Sequence, residues 1–167
     1  MGGRLDFDSI IKDAWSTFLE EYSEGRVNLL SEGDVQSELY RLCREGIMKR
    51  GGARPLALHM QVSIAGPVVD LMLGQREILV EIKLERQGTG GYTSHLGQYV
   101  ETTTKLRSYK EQGARAILLA IDETGYLARD DRRNFFDPAS HGLVGKWERL
   151  SNGSYALFSE YAGSAAQ

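Results

Sequence analysis

The chain has 167 residues, 41% of them hydrophobic and 26% charged, which is ordinary for one globular domain with a core of its own. A single cysteine excludes an internal disulfide framework, and three scattered histidines make a structural zinc site a poor expectation. The net charge of −3 argues against a strongly electrostatic nucleic-acid binder, although the acidic excess is confined to the first 34 residues.

Two amphipathic helices are predicted first. Apolar residues recur every three or four positions over residues 7–22, which is typical of a helix with one buried face. Ser31 or Asp34 can cap a second helix that extends to about Arg44, with Gly46 as its stop signal. The chain therefore begins with a pair of helices.

Extended structure is predicted from Pro55 onward. Three β-rich runs cover residues 55–65, 67–73 and 77–84, and the pieces that separate them are short and turn-like. Links of this length favour an antiparallel meander. A glycine-rich loop then precedes a third helix, predicted from roughly Thr93 to Glu111.

The last third of the chain adds strands. Residues 114–122 are predicted as a buried strand that returns beside the sheet, and residues 146–161 as a hairpin turned at Asn152 and Gly153. The order α-α-β-β-β-α-β indicates an α/β domain with a mixed sheet flanked by helices. The predicted single domain covers 1–167, with a core of about 31–121 and a C-terminal extension of about 122–161.

The second and third predicted strands carry the residues with the most chemical information. Glu81 and Lys83 alternate with apolar residues, so they share one face of an otherwise apolar strand. Asp70 interrupts the preceding apolar run, and a hairpin between the two strands would bring it level with Glu81. Charges in such strands are costly unless they are paired or bound to metal. Two converging carboxylates would form an oxygen-rich site for Mg²⁺.

Hydrolysis of a phosphodiester needs this combination of groups. A hard cation held by carboxylates polarises the phosphoryl oxygen and lowers the pKa of a bound water. Lys83, two residues from one ligand, could position that water or stabilise the developing negative charge. On the second helix, Glu38 falls between Val35 and Leu42 at helical spacing, so we expect it on the inward stripe as a further metal or water ligand.

These residues resemble the PD-(D/E)xK nuclease superfamily, which includes restriction endonucleases, archaeal-type Holliday-junction resolvases and several repair exonucleases. The family pattern is a glutamate on an early helix, then Asp, a gap and Glu-x-Lys within an α-β-β-β-α-β core. Pro67 stands three residues before Asp70 rather than one, which departs from the pattern. The match covers roughly residues 31–121 and consists of Glu38, Asp70, Glu81 and Lys83.

The resemblance implies a restriction-endonuclease-like fold and Mg²⁺-dependent cleavage of phosphodiester bonds, with Mn²⁺ able to substitute. It implies metal ligation by Asp70, by Glu81, by the backbone carbonyl of Ile82 and by Glu38. It also implies that Lys83 is the catalytic lysine. Small relatives often dimerise to cut two strands, so a homodimer is left open.

Polar residues on the predicted third helix extend the candidate site. His95, Gln98, Thr102 and Lys105 recur at helical spacing. Some exonuclease relatives use a glutamine on the equivalent helix in a Gln-x-x-x-Tyr pattern, and here Gln98 is followed by Thr102 instead of tyrosine. Gln98 is retained as a candidate catalytic residue, with His95 and Lys105 as weaker candidates.

Several alternatives stay open at this point. DNA is the expected substrate of such a nuclease, and RNA or a nucleotide is a weaker option. Basic residues cluster over 41–54 and 105–115, which permits binding to DNA or RNA without demonstrating it. The chain could instead be a catalytically inert nuclease-fold module that binds nucleic acid or a protein partner. A further interpretation is that the chain is an unrelated α/β domain in which Glu81 and Lys83 form an ion pair. Without a signal-peptide pattern or a long apolar run, a cytoplasmic protein with no membrane partner is expected.

Overall fold

The computed structural model describes residues 5–51, 57–63, 66–86 and 92–163, with side chains of the third helix described from His95 onward. The chain divides into two compact units, Met1–Leu79 and Val80–Gln167, and the boundary falls inside the third strand. The described elements are α1 (Phe7–Ser23), α2 (Glu32–Lys49), β1 (Leu58–Ser63), β2 (Val68–Leu73), β3 (Ile78–Glu85), α3 (Tyr92–Glu111), β4 (Arg115–Asp122), β5 (Leu143–Val144), β6 (Trp147–Arg149) and β7 (Tyr155–Tyr161).

Unit 1 begins with the two predicted helices. The Asp6 carboxylate caps α1 by accepting the Ser9 N–H at 3.1 Å, and the Asp34 carboxylate accepts the Ser31 N–H at 2.8 Å at the start of α2. The prediction that α2 ends at Gly46 is wrong, because α2 continues to Lys49. Gly46 serves packing instead, since a Cβ there would lie 3.4 Å from Ile10 Cγ2 on α1.

The strands of unit 1 form the expected antiparallel pair. Leu58 of β1 lies opposite Leu73 of β2, and Ser63 lies opposite Val68. Along β2 the buried positions alternate with less buried ones, so Asp70 lies on the face that Val69 does not share. β3 begins in this unit as the neighbour of β2.

Unit 2 contains the rest of β3 and the remaining strands, in the order β3-β4-β7-β5, with β6 also paired to β7. The Glu123 N–H donates to the Glu85 carbonyl at 2.9 Å, so the carboxyl ends of β3 and β4 lie side by side and these two strands run parallel. β4 and β7 are antiparallel. The α/β class and the mixed sheet are therefore confirmed.

The predicted C-terminal hairpin is also confirmed, because β6 pairs with β7 in antiparallel register. β5 was not predicted from the sequence. The core strand β4 is fully buried from Ala116 to Asp122. None of the described helices is both long and apolar enough to cross a membrane.

Candidate functional site

The candidate site in unit 2 lies between β3 and α3. Glu81, Lys83 and Glu85 alternate along β3 and share one face. Glu81 is 1% exposed and Glu85 is 6% exposed, while Lys83 is half-buried. Two buried acids and a lysine on one strand face form an arrangement that needs partners to be stable.

Glu81 receives hydrogen bonds from α3 at both carboxylate oxygens. The Tyr109 hydroxyl donates to Oε1 at 2.8 Å, and the Lys105 ammonium donates to Oε2 at 3.1 Å. Tyr109 is completely buried, whereas the Lys105 side chain is 40% exposed. Lys105 thus contacts the candidate residue Glu81, and its own role in a site stays a prediction. Tyr109 is therefore both packed in the core and hydrogen-bonded to Glu81.

Glu85 and His95 form a second contact between the same two elements. The Nδ1 atom of His95 lies 2.7 Å from Oε2 of Glu85, and the two side chains are 12% and 7% exposed. The Glu85 backbone is fixed as well, because its carbonyl accepts the Glu123 N–H. The alternation of Glu81, Lys83 and Glu85 along the strand was a signal for this pair in the sequence. Glu85 was nevertheless not among the predicted site residues.

Asp70 belongs to a polar cluster in unit 1. Its Oδ1 accepts a hydrogen bond from Gln61 Nε2 at 3.1 Å, and its backbone carbonyl accepts one from Gln36 Nε2 at 2.5 Å. Gln61 Nε2 also donates to Gln36 Oε1 at 3.1 Å. Gln36, which is 9% exposed, is therefore a side chain of α2 that contacts Asp70.

Glu38 lies at a more exposed position than its spacing suggested, and Gln98 lies on the surface. The Glu38 side chain is 32% exposed and accepts a hydrogen bond from Arg41 Nε at 2.9 Å. This contact with Glu38 raises the pKa of the Arg41 guanidinium. The Gln98 side chain is exposed, and its backbone carbonyl accepts the Thr102 hydroxyl at 2.9 Å. Their roles as a metal or water ligand and as a catalytic residue stay predictions.

Several basic residues of the two predicted clusters form ion pairs with acids. In unit 1, Arg50 contacts Asp13 at 2.6 Å, and Arg41 contacts three glutamates of α1 and α2. In unit 2, Arg115 makes a bidentate pair with Glu160, at 2.9 and 2.6 Å. These pairs lower the net positive field that each cluster offers to a polyanion.

The candidate metal ligands are distributed over both units, with Glu38 and Asp70 in unit 1 and Glu81 and Ile82 in unit 2. Across the part of the chain that the structure describes, no group of three or more His, Cys, Asp or Glu side chains is arranged to hold a metal ion. The convergence of Asp70 and Glu81 therefore stays a prediction. No protein-family model matches the chain, and neither a curated protein nor a solved structure is significantly similar to it.

Proposed function

We propose that the protein is a divalent-metal-dependent nuclease of the PD-(D/E)xK type that hydrolyses phosphodiester bonds in DNA. The observation that supports it best is Glu81, a carboxylate that is 1% exposed on a core strand two residues before Lys83. Burying a charge in such a place costs several kcal/mol unless strong partners compensate. A site for binding and catalysis gives a physical reason to retain both charges there.

The chemistry of the donor set fits a hard cation. Asp70 and Glu81 supply carboxylate oxygens, the ligands that Mg²⁺ prefers, and Glu81 already has a cation, the Lys105 ammonium, at 3.1 Å from Oε2. When bound there, Mg²⁺ would polarise the phosphoryl group and acidify a coordinated water. In this proposal Lys105 moves away from Oε2 or shares it, while Tyr109 keeps Oε1 oriented.

Lys83 has the role of stabilising charge on the phosphate. Its side chain is half-buried between two acids of the same strand face, Glu81 and Glu85. A lysine in a partly desolvated place interacts more strongly with a phosphoryl oxygen than one in open solvent. Removing the ammonium should therefore lower the rate of cleavage far more than the affinity for DNA.

The second candidate function is an inert module of the same fold that binds nucleic acid or a protein. The hydrogen bonds from Lys105 and Tyr109 to both oxygens of Glu81 favour it, because they give the buried acid a structural role without a metal. Within this candidate, the acid partners of Arg50 and Arg115 weaken the case for a nucleic-acid partner, because they offset part of the positive charge of the two basic clusters.

Cleavage assays distinguish the two candidates. Purified protein is incubated with duplex, branched and single-stranded DNA and with RNA, in Mg²⁺, in Mn²⁺ and in a chelator. We expect metal-dependent cleavage of DNA that Lys83→Met and Glu81→Gln each reduce by at least about 100-fold. The matched control Glu148→Gln, on the exposed face of β6, should cleave like the parent. Equal cleavage by Lys83→Met, or none by the parent in any metal, would overturn the proposal.

A further inference from the structure

We propose that His95, held by Glu85, is the general acid that protonates the leaving oxygen of the phosphodiester. This inference rests on the proposed function, because it names a further group in the same reaction. It starts from the Glu85–His95 contact of 2.7 Å, which neither the Asp…Glu-x-Lys pattern nor the metal ligands include.

The contact fixes both the orientation and the proton arrangement of the imidazole. A carboxylate at Nδ1 accepts the Nδ1 proton, so the neutral ring carries its free lone pair on Nε2. Among the described residues, no hydrogen bond to Nε2 is present. The ring therefore presents Nε2 as its proton-transfer atom, and the contact with Glu85 holds the ring in that orientation.

The spacing of the contacts places this group relative to Lys83. Glu85 contacts His95 near the start of α3, whereas Glu81 contacts Lys105 and Tyr109 near its end. α3 therefore runs antiparallel to β3. The ten helical residues from His95 to Lys105 span about 15 Å, and the four strand residues from Glu81 to Glu85 span about 13 Å. These lengths match, so both contacts can form along the same stretch of α3 and β3.

Lys83 then lies between Glu81 and Glu85, about 7 Å along the strand from each. A phosphate held against Lys83 would have Glu81 on one side and the Glu85–His95 pair on the other. In-line displacement at phosphorus needs this arrangement, because the attacking and leaving oxygens occupy opposite sides. Glu81 belongs to the side of the attacking water, and His95 to the side of the leaving oxygen.

The proton transfer balances without a further reactant. Water forms a bond to phosphorus and releases a proton to solvent, and the bond from phosphorus to the leaving oxygen breaks with its electron pair on that oxygen. The proton on Nε2 of the His95 imidazolium passes to this oxygen, which yields an alcohol and a neutral ring. The ring then takes a proton from solvent, and Glu85 holds its orientation throughout.

Two substrates that differ in leaving group test the role. DNA releases an alkoxide that needs a proton, whereas thymidine 5′-p-nitrophenyl phosphate releases p-nitrophenolate, which does not. We expect His95→Gln to lower the rate on DNA by about 100-fold and the rate on the aryl ester by less than about threefold. His141→Gln is the matched control, since that ring stacks on Phe136 at 4.9 Å in the same unit and should leave both rates unchanged.

The outcomes separate this inference from the function on which it rests. The general-acid role is wrong if the parent cleaves both substrates and His95→Gln either keeps both cleavage rates or lowers them equally. The nuclease proposal stands in that case. If the parent cleaves neither, the nuclease proposal fails and the role with it. Nitrogen-15 NMR of the His95 imidazole tests the role without a cleavage assay. We expect the Nδ1–H tautomer in the parent, and we expect the Glu85→Gln variant to lose this preference. The Nε2–H tautomer in the parent would overturn the role.

Discussion

Lys105 and Glu81 join α3 to β3 through an ion pair of 3.1 Å in which the acid is 1% exposed and the base is 40% exposed. The asymmetry means that the lysine can leave toward solvent while the carboxylate cannot. In the proposed metal site, Lys105 is the cation that a divalent ion would replace. Its behaviour with and without divalent metal gives the first prediction.

Lys105→Met should lower the free energy of unfolding by about 2 kcal/mol in chelator, because a buried carboxylate loses its charged donor. Addition of Mg²⁺ or Mn²⁺ should recover part of that loss. Chemical denaturation with and without metal measures both effects. Lys110→Met, an exposed lysine of the same helix, is the control and should change neither value. A Lys105→Met protein that metal does not stabilise would argue against cation exchange at Glu81.

Asp122 is predicted to hold the loop after β4. Its carboxylate is completely buried and accepts hydrogen bonds from four backbone N–H groups, those of Thr124, Gly125, Leu127 and Ala128, and from the Thr124 hydroxyl. Asp122→Asn places an amide N–H₂ against some of these donors, so we expect a loss of about 3 kcal/mol in the free energy of unfolding. Hydrogen exchange at the Leu127 and Ala128 amides should be faster in this variant than in the parent. Asp130→Asn, at an exposed position of the same loop, should leave both measurements as in the parent.

Gly145 is predicted to be intolerant of any side chain. A Cβ there would lie 2.3 Å from the Phe158 carbonyl oxygen, and the residue has φ +155°. Gly145→Ala must displace the backbone of β7, which should cost about 2 kcal/mol or more. Gly153→Ala is the matched control, because Gly153 has φ +89° with nothing within 4 Å, so only backbone strain of about 1 kcal/mol applies. Equal destabilisation of the two variants would contradict the close approach of Gly145 to β7.

The buried thiol of Cys43, in unit 1, should make the free energy of unfolding depend on pH in the alkaline range. Burial raises the pKa of the Cys43 thiol to about 12, from an ordinary value of 9.0. Between these values the unfolded chain loses the thiol proton and the folded protein does not, so stability is full below pH 9 and falls as pH rises toward 12. At pH 10 the loss should be about 1 kcal/mol relative to pH 8.

Comparison with Cys43→Ala isolates that effect, because tyrosines and lysines that titrate in the same range are common to both proteins. The difference in unfolding free energy between parent and variant should therefore narrow from pH 8 to pH 10. A difference that stays constant over this range would show that the thiol ionises normally in the folded state.

The regular elements were predictable because their patterns are local. α1 follows its apolar spacing, and the hairpin turn follows Asn152 and Gly153. The end of α2 was missed because Gly46 permits close packing with Ile10, a tertiary contact that overrides its usual meaning as a helix stop. β5 has only two residues, which is too short to produce an alternation.

The candidate site was predictable where charge interrupts an apolar strand, as at Asp70, Glu81 and Lys83. Gln36 was missed because a neutral residue on a helix gives no such contrast, although it contacts Asp70. Glu85 was missed because the motif ends at Lys83, and its partner His95 is ten residues away along the chain. Such pairings depend on how α3 packs on β3, which the sequence does not encode locally.

The central claim is that Asp70 and Glu81 hold one divalent ion, and Mn²⁺ binding tests it most directly. Calorimetric titration of the parent should give one ion per chain, and Asp70→Asn and Glu81→Gln should each abolish the binding. Glu160→Gln, which loses only part of the Arg115 pair, serves as the control and should bind like the parent. Absence of binding to the parent at millimolar Mn²⁺, or retention of the parent's affinity by either site variant, would contradict the account.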